Sequence, residues 1–335
     1  MAQVMPTTAV HAPDLSFREE FAICWEKMPH KGLFFTLFAC WWALFWFFGN
    51  PTLGYVDSPS ILGWVEWVYR NSADDSHGRL IPFVVFVILW FKRQELLEVP
   101  KQPWWPGLVL LTLALGLHVL GYTVQQPQIC FVAFFACLYA IMGVTWGYRW
   151  LKATFFPFFL FAFCVPTVNV LVPVAFPLRM LATQITVGMC NAVLGIGVIQ
   201  RGTSMLDATG RYQYEVAAAC SGIRSLTAIT AMSLIYAFMA FKKPWQRAIM
   251  IASAVPLAVV ANVARLSSIV VAAEAFGEKA GNWVHNNGMV SLMPYIPAIA
   301  GMFLIGRLIS RPWWRSESTR VNGRTLASVT TESQI

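Results

Sequence analysis

A chain of 335 residues that is 57% hydrophobic and only 12% charged has too little polar surface for a water-soluble globule, and its composition is that of a polytopic membrane protein. The net charge of +8 would suggest nucleic acid in a soluble protein, but here Lys and Arg gather in short loops and in the C-terminal tail, a pattern of orientation signals rather than of a binding face. The sequence has no paired zinc-type cysteine spacing, no Gly-rich phosphate loop and no repeat of fixed period, so no metal, cofactor or nucleic-acid partner is expected.

Residues 1–32 are polar and mixed in charge, lack the features of a cleaved secretory signal, and are expected to form a cytoplasmic N-terminal segment. Leu33 to Gly49, rich in Trp and Phe, is expected to span the membrane as a signal anchor. The loop after it sets Asp57, Glu66, Asp74 and Asp75 against Arg70 and Arg79, and spaces Trp64, Trp67 and Tyr69 as a helix lying in the interface would. It is expected outside. Leu80 to Phe91 offers only about twelve apolar residues where a span needs about twenty, so its ends must borrow from Ser76-His77-Gly78-Arg79 and Lys92-Arg93. His77 and Arg79 then sit at headgroup depth or line a wet cavity, where polar groups are functional candidates by default.

Lys92, Arg93 and Lys101 mark a cytoplasmic loop. Gly107 to Tyr122 and Ile129 to Gly147 form a pair of spans joined by an uncharged turn, and Arg149 with Lys152 marks the return to the cytoplasm. The apolar region Ala153 to Ile199 is too long for one helix and is interrupted by Pro157, Pro166, Pro173 and Pro177. Loop charge constrains it. Lys242, Lys243 and Arg247 should be cytoplasmic, so the helix from about Ser221 to Phe241 runs inward and an odd number of crossings must precede it. One full span plus a Pro-broken re-entrant or interfacial piece satisfies that requirement. Trp245 to Ala273 runs outward, and at 1.5 Å per residue Arg265 is roughly 27 Å from Arg247, near the outer face. His285 follows in an outer loop, Gly281 to Gly288, before Met289 to Arg307 returns to the cytoplasm. The expected fold is all-α: a polytopic transmembrane helical bundle over residues 33–308, with about eight spans and the Pro-broken segment, followed by a basic, Ser/Thr-rich cytoplasmic tail over 309–335.

The stretch Val216-Ala-Ala-Ala-Cys220-Ser221-Gly222-Ile223-Arg224-Ser225 puts a thiol at the entrance of an apolar helix. There, unsatisfied N–H groups and the positive end of the helix dipole favour the thiolate, which is the nucleophilic form. Of the seven cysteines, five lie inside apolar runs and Cys24 lies in the polar N-terminal segment, so Cys220 alone falls at a water boundary. Taken singly the residues are weak: a helical cysteine more often only packs, an arginine near a helix end more often snorkels or pairs (here with Glu274 or Glu278), and a loop histidine is more often merely solvated. The loop-charge topology nevertheless brings Cys220, Arg265 and His285 to one side of the membrane at similar depth. Together they suffice for acyl transfer, with a thiolate to attack a peptide carbonyl, an imidazole to move the proton and a guanidinium to stabilise the oxyanion or hold the substrate backbone.

Ala219-Cys220-Ser221-Gly222-Ile223, then Asn262-Val263-Ala264-Arg265, then His285 followed by Gly288, resemble the three signature blocks of the exosortase/archaeosortase family. Asp75-Ser76-His77-Gly78 and the short span ending in Trp90 and Arg93 resemble that family's second transmembrane segment. The resemblance implies a cysteine transpeptidase or protease of the bacterial inner membrane, multi-pass, with its active site facing the periplasm. Its partners, besides the lipid bilayer, would be membrane-anchored proteins with a C-terminal sorting signal: a short motif of the Pro-Glu-Pro type, a transmembrane helix and a basic end. It implies Cys220 as nucleophile, His285 as proton shuttle and Arg265 as transition-state or substrate stabiliser, with Asn262, Ser221, Gly222, Arg224, His77 and Asp75 in supporting or substrate-binding positions. Asn262 lies one helical turn from Arg265 and on its face, where it can orient the guanidinium. Two other functions fit parts of the chain. A transporter or lipid-linked glycan flippase would use the Pro-broken region 157–177 and the histidines, and a membrane O-acyltransferase with His285 as base would need no thiol.

Overall fold

The computed structural model describes residues 16–52, 54–72, 75–166, 168–202, 204–207, 213–215, 223–287, 293 and 295–310. The chain divides into two compact units, Met1–Thr167 and Val168–Ile335.

In the first unit, α1 (Phe17–Lys27) opens on a capping box in which the Ser16 side chain accepts from the Glu19 N–H while the Glu19 carboxylate accepts from the Ser16 N–H. Next, α2 (Lys31–Phe47) is apolar all round and buries Trp41 and Phe45. The Trp41 indole N–H donates to the Phe134 carbonyl at 2.9 Å and its ring packs 4.3 Å from that of Phe134, so even the polar atom of this residue has a partner inside the unit. Ser60 caps α3 (Ile61–Asn71), the expected interfacial helix, with Trp64 and Tyr69 buried and Trp67 exposed. A 3₁₀ turn, Ser76–Arg79, runs into α4 (Ile81–Phe91), which is the borrowing its shortness required. After α5 (Arg93–Glu98), the two apolar stretches expected to be spans form a helical hairpin of α6 (Gly107–Thr123) and α7 (Pro127–Trp146), of which α7 has the length of a span. Lipid offers no hydrophobic drive to helix pairing, so contact depends on close approach. A methyl group on Gly107 or on Gly121 would come within 2.9 Å of a backbone nitrogen, that of Val144 or Cys130 respectively. Finally α8 (Tyr148–Phe159) gives way, just after Pro157, to a 3₁₀ turn over Leu160–Cys164.

The second unit begins with α9 (Val168–Met189), which runs through Pro173 and Pro177 without a break. The expected interruption is therefore confined to Pro157 and Pro166 upstream. Proline is tolerated inside apolar helices where neighbouring groups re-satisfy the freed carbonyls, and here two prolines sit in one continuous helix. A π turn, Cys190–Leu194, closes α9 and leads to an antiparallel meander of β1 (Val198–Arg201), β2 (Ser204–Asp207) and β3 (Gln213–Glu215), in that spatial order. The all-α expectation did not include this sheet. There follow α10 (Ile223–Ala240), α11 (Pro244–Ala252), α12 (Ala254–Phe276), α13 (Glu278–Asn286) and α14 (Tyr295–Ser310). One core cluster joins α9, the sheet and α12 through Ala182, Val198, Met205, Leu266, Ile269 and Val270. A second joins α10, α11, α12 and α14 through Ile229, Met250, Leu257, Ala261, Ala298 and Met302.

Among the described residues, two helices are long and apolar enough to cross a membrane, Pro127–Trp146 and Pro244–Phe276. Five more are apolar but shorter, among them Lys31–Phe47, Gly107–Thr123 and Tyr295–Ser310. A 17-residue helix is about 25 Å long, less than the roughly 30 Å of a bilayer's hydrocarbon core. The fold is thus a helical membrane fold, and helix length alone does not give the eight crossings expected from loop charge.

Candidate functional site

In the second unit α12 is the supporting rod. Asn262 and Arg265 lie one turn apart, 5% and 9% exposed, so a helix of mostly small and β-branched residues buries an amide and a guanidinium side by side on one face. Asn262 lines a small cavity with Leu178 of α9, Leu226 of α10, and Ala258 and Val259 of its own helix. The Arg265 Nε is buried and has no hydrogen-bond partner among the described residues. A buried donor in that condition costs free energy unless something arrives to accept from it. Of the neighbouring hydroxyls, Ser267 donates to the Val263 carbonyl and Ser268 to the Arg265 carbonyl, both at 2.8 Å, and neither accepts from that Nε.

Gly277, at φ +87°, ends α12 and starts α13, in whose last turn His285 sits half-buried. The sequence suggested a loop over Gly281–Gly288, but residues up to Asn286 are helical. Glu278 in the first turn complements the helix dipole, and the apolar side of this short helix packs down through Val284 onto the Leu266–Ile269–Val270 cluster. Arg265 and His285 are therefore carried on consecutive, mutually packed helices, each beside a residue of one shared core. Cys220, Ser221 and Gly222 lie outside the described residues. Helix α10 begins at Ile223, just past Cys220, and Arg224 is its second residue.

Asp75 and His77 belong to the first unit. The buried Asp75 accepts from the Ser72 hydroxyl at 2.8 Å, while its own N–H donates to that hydroxyl and its carbonyl accepts from the Gly78 N–H. This acid shapes the turn that leads to His77, which is half-buried. Gly78 packs directly under Tyr69, whose hydroxyl donates to the Cys164 carbonyl. Burial raises the Tyr69 phenol above its ordinary pKa. Arg79 pairs with Glu66 at 3.0 Å, and Glu66 also takes Arg70 at 2.8 Å. Hydrogen bonds from Arg70 first and Arg79 second hold the Glu66 carboxyl below its usual range. Arg79 is thus an ion-paired residue on the surface of this turn.

The family model described as Transmembrane exosortase (Exosortase_EpsH) matches residues 64–315, a range that takes in Asp75, His77, Cys220, Asn262, Arg265 and His285. The chain belongs to the transmembrane exosortase family. No curated protein and no solved structure matches it. As an exosortase it is a membrane protein of a transpeptidase or protease family, with membrane proteins as its substrates.

In this exosortase two buried charged residues lie outside the sequence argument, Asp207 of β2 and Arg179. Arg179 of α9 is 7% exposed and adjoins Leu178, which shares the cavity with Asn262. Its signal was present as a single charge within the apolar run Ala153 to Ile199, the kind of residue that membrane-depth reasoning marks as functional. It was hidden because the proline spacing drew attention to breaks in the helix rather than to its one cation.

Proposed function

We propose that this exosortase is a cysteine transpeptidase that cleaves the C-terminal sorting signal of exported proteins. It would work from the periplasmic face of the bacterial inner membrane as a multi-pass protein. The Cys220 thiolate attacks the scissile carbonyl carbon, forming a C–S bond and an oxyanion that the Arg265 guanidinium stabilises. Collapse breaks the C–N bond, His285 delivers its proton to the leaving amine, and a thioester remains on Cys220. Attack by an amine or by water on the thioester restores the thiol and decides between transfer and hydrolysis. Asn262 orients Arg265. Ser221, Gly222 and Arg224 surround the nucleophile in sequence, and Asp75 with His77 supplies a second polar turn for the substrate. The substrates are membrane-anchored proteins ending in a Pro-Glu-Pro-type motif, a transmembrane helix and a basic tail.

The observation that carries this reading is Arg265. It is a buried guanidinium whose Nε–H finds no acceptor among the described residues, on a helix packed against the one bearing His285, within the matched family region. The transporter alternative drew on the Pro-broken region 157–177 and the histidines; within that region α9 is continuous through Pro173 and Pro177, and the break lies at Leu160–Cys164. Co-expression with a tagged protein carrying such a signal tests the proposal. Cys220→Ala should abolish processing, and Arg265→Gln should slow it roughly 10²–10³-fold, as loss of an oxyanion donor does. Processing that survives Cys220→Ala would rule the thiol mechanism out.

A further inference from the structure

The three-stranded sheet ends five residues before Cys220, and its two outer edges are treated differently. At β1 the edge is closed by a side chain. The Asn191 amide donates to the Val198 carbonyl at 2.9 Å and accepts from the Val198 N–H at 2.8 Å, imitating a neighbouring strand. Natural sheets cover or blunt their edges because unpaired N–H and C=O groups recruit further strands. At β3 no strand pairs with the far edge among the described residues.

The register shows which groups that far edge offers. In a strand, the N–H and C=O of one residue point to the same side, and successive residues alternate. Val198 points away from β2, toward Asn191, so its partner Asp207 points away from β1 and Ile199–Leu206 is the hydrogen-bonded pair. Met205 then points at β3 and bonds with Tyr214, its register partner. It follows that the backbone groups of Gln213 and Glu215, on either side of Tyr214, face outward.

We infer that this outward edge of β3 is a strand-addition site, on which the extended stretch of substrate just before its membrane helix binds as a fourth strand. The inference rests on the transpeptidase reading and deepens it by naming how the cleavage segment is held. Main-chain hydrogen bonds supply the affinity in this mode of recognition, and they fix a peptide in extended form without requiring many side-chain contacts. The position suits the chemistry. The five residues from Glu215 to Cys220 reach at most about 17 Å, so a peptide registered on β3 has its backbone within one short connection of the thiol. A motif with prolines two apart fits such an edge, since both pyrrolidine nitrogens then face away from β3 while the residue between them directs its N–H and C=O toward it.

Proline substitution separates this from other roles of the segment. Gln213→Pro and Glu215→Pro remove an outward N–H and leave the Met205–Tyr214 pairing with β2 in place. Gln213→Ala and Glu215→Ala keep the N–H. Cleavage of the co-expressed signal is measured at sub-saturating substrate, alongside labelling of Cys220 by a small thiol reagent to confirm that the folded protein is present. The expected result is that at least one proline variant cleaves roughly tenfold more slowly than the alanine variant at the same position, with labelling retained. Equal rates in the Pro and Ala variants at both positions, whether near that of the parent protein or both lost, would overturn strand addition. Failure of the underlying reading has a different signature, because Cys220→Ala would then still process the signal.

Discussion

Gly78 shows how one absent methyl group organises a polar turn. A Cβ at this position would lie 2.2 Å from the Tyr69 hydroxyl and 2.5 Å from the ring carbon bearing it, a separation that requires the tyrosine to move. Tyr69 cannot move without giving up its bond to the Cys164 carbonyl, and the same glycine carbonyl accepts from the Cys164 thiol at 3.6 Å. Gly78→Ala should therefore cost about 1–3 kcal/mol, the usual range for overpacking. It should lower the midpoint of thermal unfolding in detergent, and an unchanged midpoint would mean the turn tolerates the displacement. At this scale the sequence was partly legible. The shortness of the apolar run pointed to Ser76–Arg79 as a borrowed turn, whereas helical rise was expected to put Arg265 near the outer face and the residue sits midway along α12, Ala254–Phe276. The unaccepted Nε of Arg265 could not be read the same way, because it depends on which groups the neighbouring helices bring near.

Among the elements, the sheet was the least foreseen, and its signals were local and weak. Val198–Arg201 and Ser204–Asp207 are four residues each, joined across Gly202 at φ +64°, and they follow so long an apolar helix that their alternation was absorbed into it. The glycine between two short β-compatible runs was the available clue. The helix hairpin, by contrast, was legible because two apolar stretches of span-like length flank an uncharged turn. Asn191 gives the sheet a test of its own. Its amide makes two bonds to one residue of β1, so Asn191→Ala should remove both, at a cost of about 1 kcal/mol. Hydrogen exchange at the Val198 amide should accelerate, because its acceptor is the side chain removed. If exchange there is unchanged while the β1–β2 amides also hold, the edge is closed by something other than Asn191.

For the whole molecule, sidedness is the property on which the proposed chemistry depends, and loop charge is the source of the expectation: basic segments at Lys92–Arg93, Arg149–Lys152 and Lys242–Arg247 are expected on the cytoplasmic side, and Cys220, Arg265 and His285 are proposed to lie on the other. The seven cysteines make this measurable without engineering. Cys130, Cys137, Cys164 and Cys190 are buried, and Cys24 lies on α1, in the segment expected to be cytoplasmic. Cys40 is exposed, but it sits in the middle of α2, an apolar helix whose exposed neighbours Trp42 and Trp46 suit hydrocarbon rather than water. A thiolate forms readily in water near a helix start and poorly in hydrocarbon or a packed core. A membrane-impermeant maleimide applied to intact cells with a permeable outer layer should accordingly add one adduct, lost in Cys220→Ala, and prior labelling should block processing of a sorting signal. Labelling of Cys220 only after the inner membrane is opened would invert the topology and place the nucleophile on the side from which exported substrates have already departed.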